Sequence, residues 1–215
     1  MNTDFARRQM VAQQLRTWDV FNPGVLQVLG SLAREHFVPA GCGDVAYADT
    51  EIPLGHGQVM LRPNIEGKLL QALDLGSSDQ VLEIGTGSGY LTACLASLSA
   101  SVTSIDIHED FVAAASENLE SAEIKNVSLE CMDAMAELPG GEFDAIAVTG
   151  SVPRVDERFV RALKPGGRLF LVVGKSPLMS ALLMVRAGDE VQQSYLFETD
   201  IPALQNIVRE PVFSF

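Results

Sequence analysis

The most constraining feature of this chain is a short apolar strand that runs directly into a glycine-rich turn and then a helix. It reads Val81-Leu82-Glu83-Ile84-Gly85-Thr86-Gly87-Ser88-Gly89-Tyr90. Glycine has no Cβ and tolerates positive φ, so such a turn lets backbone approach a ligand closely. Units of this kind belong to α/β folds, which bind ligands in the crevice beyond the carboxyl ends of parallel strands. The residues that follow keep the alternation going. Segments 80–84, 102–107, 127–131, 143–149 and 168–173 read as strands, and 90–99, 108–122 and 155–163 as helices. Pro165-Gly166-Gly167 is a turn into the last of these strands. The pattern predicts an α/β fold: a Rossmann-like, mostly parallel sheet with helices on both faces.

The flanks differ. Residues 4–16 and 23–36 are helical in pattern, with Pro23 suited to a first helical turn. Val25, Leu26, Val28, Leu29 and Leu32 supply the buried face of the second. Residues 39–63, rich in proline and glycine, read mostly as loop. Segments 182–186 and 195–198 are expected to add antiparallel strands at an edge. Leu91, Leu95 and Leu98 read as a core stripe, Trp18 as a packing anchor and Asp144 as structural. His36 and His108 read as surface helix-end residues, and Phe213 and Phe215 as a cover for an edge.

Composition narrows the function classes. The 215 residues are 47% hydrophobic, enough for one sizeable core and a single domain. Fifteen Lys and Arg stand against 28 Asp and Glu, a net charge of −13, which argues against binding a phosphate backbone. No apolar run approaches a membrane span, and the first residues lack the apolar stretch of a secretory signal. Cys42, Cys94 and Cys131 are widely spaced, without a C-x-x-C pair or a nearby histidine cluster. They support neither a disulfide framework nor a zinc site and read as buried free thiols. The chain is expected to be soluble and cytoplasmic, with no metal.

The turn's spacing points to a ligand. A dinucleotide fingerprint needs G-x-G-x-x-G, and here Gly85 and Gly87 are followed by Gly89 and then Tyr90 where the third glycine belongs. Glu83 just before the turn would sit badly beside a pyrophosphate but well beside a cation. S-adenosylmethionine carries a sulfonium and an ammonium and no phosphate, so the turn favours that cofactor over NAD. Asp106, next to Ile107, ends the second strand, where a carboxylate can accept both ribose hydroxyls. Asp133, next to Ala134, follows the third and could accept from the adenine amino group. Thr149 ends the fourth. The candidate cofactor residues are thus Glu83, Gly85, Thr86, Gly87, Gly89, Tyr90, Asp106, Ile107, Asp133, Ala134 and Thr149.

Taken together, these residues resemble a class I S-adenosylmethionine-dependent methyltransferase, and within that class the protein-L-isoaspartate O-methyltransferase family. Three blocks carry the resemblance. At the amino end are Met10-Val11, Gln14-Leu15-Arg16, Val25-Leu26 and Arg34-Glu35-His36-Phe37-Val38-Pro39; next comes Ile52-Pro53-Leu54-Gly55-His56-Gly57-Gln58; the last is 81–90. The family follows His-Gly-Gln with Thr, an aliphatic residue, Ser, Gln and Pro, whereas this chain has Val59-Met60-Leu61-Arg62-Pro63. Leu61 therefore cannot take the role of the family's serine. The resemblance implies a helical and active-site-loop segment (1–75), a cofactor-binding core (76–175) and a carboxyl-terminal edge (176–215). It implies that a substrate carboxylate, already ionised at neutral pH, attacks the sulfonium methyl, leaving a methyl ester and S-adenosylhomocysteine. Positioning and desolvation would supply most of the acceleration. His56 and Arg62 are the candidates for holding that carboxylate. Three outcomes remain open on sequence alone: isoaspartyl methylation, transfer to another and less polar acceptor, or cofactor binding without turnover. The partner is accordingly a peptide or protein with a free carboxylate, or a small acceptor.

Overall fold

A computed structural model describes residues 3–188 and 190–207. Its centre is a seven-stranded sheet built from β3 (Gln80–Ile84), β4 (Ser101–Asp106), β5 (Val127–Cys131), β6 (Phe143–Val152), β7 (Leu163–Lys175), β8 (Leu178–Ala187) and β9 (Glu190–Thr199). The spatial order is β5-β4-β3-β6-β7-β8-β9. The first five in that row run parallel, and β8 pairs antiparallel with both β7 and β9. The expected parallel sheet with an antiparallel edge is therefore present, with β8 and β9 longer than their apolar patches suggest.

Alternation along the strands divides the core. Val81, Ala145, Ala147, Phe170 and Val172 point to one face, and Leu82, Ile146, Val148, Leu169 and Leu171 to the other, as the two-residue period of a strand requires. The first face is covered by α2 (Pro23–Ser31), α3 (Pro63–Leu73) and α4 (Tyr90–Leu98). On the second, Phe159 of α6 (Glu157–Arg161) is fully buried. Helix α5 (Glu109–Ser121) packs beside β4 and β5.

The amino-terminal third departs most from the sequence pattern. Helix α1 (Thr3–Gln9) continues as a π-helical turn over Met10–Leu15. That wider turn brings Met10 and Leu15, five residues apart, to the same buried side. Helix α2 is capped by the Asn22 side chain, which accepts from the N–H of Gly24 and Val25, and it stops at Ser31 rather than continuing to residue 36. A 3-10 turn, Arg34–His36, takes over. Within the expected loop, Ile52–Gly55 (β1) and Gln58–Met60 (β2) form an antiparallel hairpin. Helix α3, absent from the sequence expectation, starts at Pro63 and buries Ile65, Leu69, Leu70 and Leu73. Trp18 is 41% exposed and meets Phe197 of β9 edge-on at 6.5 Å. Asp144 accepts from the Gln80 N–H and the Lys164 ammonium at 2.8 Å each. The three cysteines are free, but only Cys94 is buried; Cys42 is half-buried and Cys131 exposed. Phe213 and Phe215 lie outside the described residues. Among those described, no helix is long and apolar enough to cross a membrane.

Candidate active site

Chain order reverses where β3 stands between β4 and β6, the point at which a doubly wound sheet leaves a crevice. The crevice here is lined by Ile84, Gly85 and Gly87 after β3, by Ile105 to His108 after β4, by Met132 to Met135 after β5, and by Thr149 and Gly150 of β6. Leu54, Gln58 and Val59 of the hairpin close one side. Leu204 and Gln205 close another, because the chain beyond β9 turns back across the sheet. The Ser151 N–H donates to Pro202 O, and the Leu204 N–H to Ser151 O. Gln58 Nε2 donates to Ala203 O and Gln205 Nε2 to His56 O, so this returning segment is tied to the hairpin.

The glycine turn has the geometry its composition demands. Gly85 has φ +101°, and a Cβ there would lie 2.1 Å from Thr149 Oγ1. Gly89 has φ +80°, and a Cβ would come within 3.0 Å of Ala115 of α5. Asp106 Oδ2 accepts from the Gly87 N–H at 2.9 Å, and Oδ1 accepts from the His108 N–H at 3.0 Å. The carboxylate is thereby fixed between turn and helix, and each oxygen keeps a further lone pair for the cleft. Asp133 is held by the Met135 N–H and by Asn206 Nδ2. The Thr149 hydroxyl lies 3.0 and 2.9 Å from the carbonyls of Ile84 and Gly85, pinning the turn.

Seven of the eleven expected cofactor residues therefore line the cleft: Gly85, Gly87, Asp106, Ile107, Asp133, Ala134 and Thr149. Gly89 serves close packing against α5 instead. Thr86 borders a smaller recess beside the cleft, and its hydroxyl is 2.6 Å from Ser104 Oγ. Tyr90 points away into the core, stacked under the Arg34 guanidinium at 4.7 Å. Glu83, expected beside a cationic ligand, is buried beneath the turn. Its Oε2 accepts from Thr92 Oγ1 at 2.5 Å and Ser104 Oγ at 2.6 Å. Its Oε1 is buried without a partner among the described residues. Burial pushes its carboxyl up to about 8 against the pull of those two hydroxyls, so it is protonated at neutral pH. The electrostatic argument for the ligand thus rests on Asp106 and Asp133, not on Glu83.

A second groove opens from the same mouth. It is lined by Glu51, His56, Gln58, Arg62, Ser151, Lys175, Asp200 and the returning segment, and shares Gln58, Leu204 and Gln205 with the cleft. His56 and Gly57 have φ +53° and +72°, the pairing that a two-residue hairpin turn matches to strand twist. Arg62 stands just before α3 with its Nε 3.7 Å from Glu51. Leu61 turns inward, 6% exposed, while its carbonyl accepts from Arg34 Nη2 at 2.6 Å.

Two groups of residues escape a reading of the sequence. Arg34, with no exposed surface, donates to Ala46 O at 2.7 Å, to Leu61 O and to the Glu66 carboxylate. Burial drives the Glu66 carboxyl up to about 7, opposed by the guanidinium. The other group is His108 and Asp110, which flank His56: the imidazoles stack, and Asp110 Oδ2 lies 2.9 Å from His56 Nε2. His56 therefore has partners, and His108, at the helix end expected of it, also lines the cleft. The Gln80-to-Gly89 periodicity gives no hint of either group, because each is assembled from segments far apart in the chain.

Comparison with known proteins agrees with this architecture. The family model for protein-L-isoaspartate(D-aspartate) O-methyltransferase matches residues 6–203. Protein-L-isoaspartate O-methyltransferase 2 of Pelobacter propionicus is 37% identical over 190 residues, covering 88% of this chain and 84% of that protein. The corresponding enzyme of Trichlorobacter lovleyi is 36% identical, with 88% of each chain covered. Among solved structures, a Plasmodium falciparum protein described as a protein-L-isoaspartate O-methyltransferase, in complex with S-adenosyl-L-homocysteine, superposes with a TM-score of 0.80. It is 20% identical and covers 93% of this chain and 98% of its own, a likeness of fold. By sequence across nearly its whole length, the chain belongs to the protein-L-isoaspartate(D-aspartate) O-methyltransferase family.

Proposed function

We propose that this chain transfers the methyl group of S-adenosylmethionine to the free carboxylate of isoaspartyl residues in a peptide or protein, as a single catalytic domain. The observation that supports this best is the junction of the two cavities. The cleft with Asp106 and Asp133 at successive strand ends meets the groove carrying His56, Arg62 and Lys175 at Gln58, Leu204 and Gln205. Methyl donor and acceptor can then face each other across one mouth.

The residues present fit the donor. The positive φ of Gly85 and Gly87 bares backbone toward the cleft, and Asp106 has lone pairs left for two hydroxyls. Asp133 can accept from the adenine amino group, while Ile107, Ala134 and Met132 offer apolar surface to the ring. When bound, the donor supplies an electrophilic methyl on positively charged sulfur. The protein's share is binding, orientation and exclusion of water. A carboxylate nucleophile needs no base at neutral pH, so holding it in line does most of what catalysis requires.

The acceptor side differs in its means from the family pattern. Leu61 is packed inward and offers no hydroxyl, so the cationic groups of the groove carry the load. Arg62, 47% exposed and only loosely paired to Glu51, can swing to a substrate carboxylate and bind it with two N–H groups. Lys175 adds a second positive charge. The net charge of −13 favours a protein acceptor over nucleic acid, and a cytoplasmic location goes with that acceptor. The test is methyl transfer from labelled donor to an isoaspartyl peptide and to its aspartyl twin. Labelling of the first alone is expected, as a base-labile ester. Equal labelling of both, or labelling of neither in an assay where cell-extract proteins are labelled, contradicts the proposal.

A further inference from the structure

His56, His108 and Asp110 meet at the outer rim of the cleft, although the hairpin and α5 that bring them are far apart in the chain. His56 opens the β1–β2 turn; His108 immediately precedes α5 and Asp110 lies in its first turn. The two imidazole centroids are 3.8 Å apart with 11° between planes. One ligand atom from each of the three side chains lies within 4.8 Å of the other two. A simple hydrogen-bonded cluster accounts for the His56–Asp110 pair at 2.9 Å. It does not account for His108 Nε2, which is buried and has no hydrogen-bond partner among the described residues.

We propose that His56, His108 and Asp110 form a binding site for a borderline divalent metal ion such as Zn2+, which ties the β1–β2 turn to the start of α5. Two imidazole nitrogens and one carboxylate oxygen are a donor set zinc accepts, with bonds of about 2.0–2.2 Å and a fourth position left to water. Drawing the three ligand atoms onto one ion takes a swivel of the rings out of their stack and a small approach of the carboxylate. His56 and Asp110 are free to make it, their side chains being 42% and 66% exposed. The two imidazole nitrogens and the carboxylate oxygen are all electron-pair donors to a cation. The hairpin that the ion would hold also supplies Leu54 and Val59 to the cleft wall. Metal binding would therefore restrain that wall and slow passage of the methyl donor in and out.

The experiment is a Zn2+ titration of the untagged chain against a chromophoric chelator, with the Co2+ absorption spectrum as a second readout. No methyl donor or peptide is present, so the result stands apart from whether methyl transfer occurs. Saturation at one equivalent is expected. His56→Ala, His108→Ala and Asp110→Asn are each expected to weaken binding at least ~10-fold, with circular dichroism unchanged. Cys131→Ser, which removes an exposed thiol outside the cluster, is expected to bind as the parent does. No saturable binding, equal affinity in the three cluster variants, or loss of binding in Cys131→Ser would overturn the proposal.

Discussion

Beneath the glycine turn, Glu83 keeps a proton that a carboxyl group in water would give up. It has no exposed surface, and two hydroxyls donate to one oxygen while the other finds no partner. In the unfolded chain the same group titrates near 4.5; in the fold, near 8. Between those values the folded state binds more protons than the unfolded state, so stability falls as pH rises through that window. Glu83→Gln keeps an acceptor for Thr92 and Ser104 and has no charge to bury. It is expected to flatten the pH dependence of stability, gaining on the order of 4–5 kcal/mol over the parent at pH 8–9 while matching it near pH 4. Chemical denaturation across that range checks this, and parallel curves for the two proteins would contradict it. The strand position of Glu83 is legible in the sequence, but its direction is not. An acid ahead of a glycine turn looks the same whether it faces the ligand or the α4 side of the sheet, and only Thr92 and Ser104 decide.

At the scale of elements, the hairpin, α3 and α4 share one buried apolar cluster, and within it a single charged side chain, Arg34, touches all three. This one guanidinium joins the Ala46 carbonyl, the Leu61 carbonyl where the hairpin leaves, Glu66 in α3 and the ring of Tyr90 opening α4. Removing one partner of a buried ion pair leaves an uncompensated charge, which costs roughly 3–5 kcal/mol. Arg34→Met is expected to lose about that much in urea unfolding. Adding Glu66→Leu is expected to return only part of it, because the two carbonyls stay unpaired. A double variant no more stable than Arg34→Met would show that Glu66 is not the main burden. The hairpin's turn chemistry is present in the sequence, inside the stretch that reads mostly as loop. Ile52, Leu54, Val59 and Met60 flank His56-Gly57 as strand residues flank Asn-Gly, with histidine in the uncommon positive-φ role. The prolines at 53 and 63 mask that signal, since one sits on an edge strand and the other at the first turn of α3.

For the whole molecule, the parallel sheet and its order follow from a strongly periodic stretch, residues 80–175, in which parallel strands are joined by helices, except for a helix-free link from β5 to β6, without long insertions. The cleft floor is legible for the same reason, since ligand contacts in such a sheet fall at strand ends. Its walls are not legible. They come from residues 54–59 and 204–205, brought over the floor by pairings such as Gln58 with Ala203 and Gln205 with His56 that span most of the chain. No local period encodes those pairings. Everything proposed for the acceptor side depends on the floor first holding the methyl donor in the orientation that Asp106 dictates. Calorimetric titration of S-adenosylhomocysteine into the parent chain and into Asp106→Ala tests this most directly. One site per chain is expected, weakened in the variant by about 1.5–3 kcal/mol, roughly 10- to 150-fold, as for lost hydrogen bonds to a charged group. Undiminished affinity in Asp106→Ala, or no binding by the parent, would contradict the account.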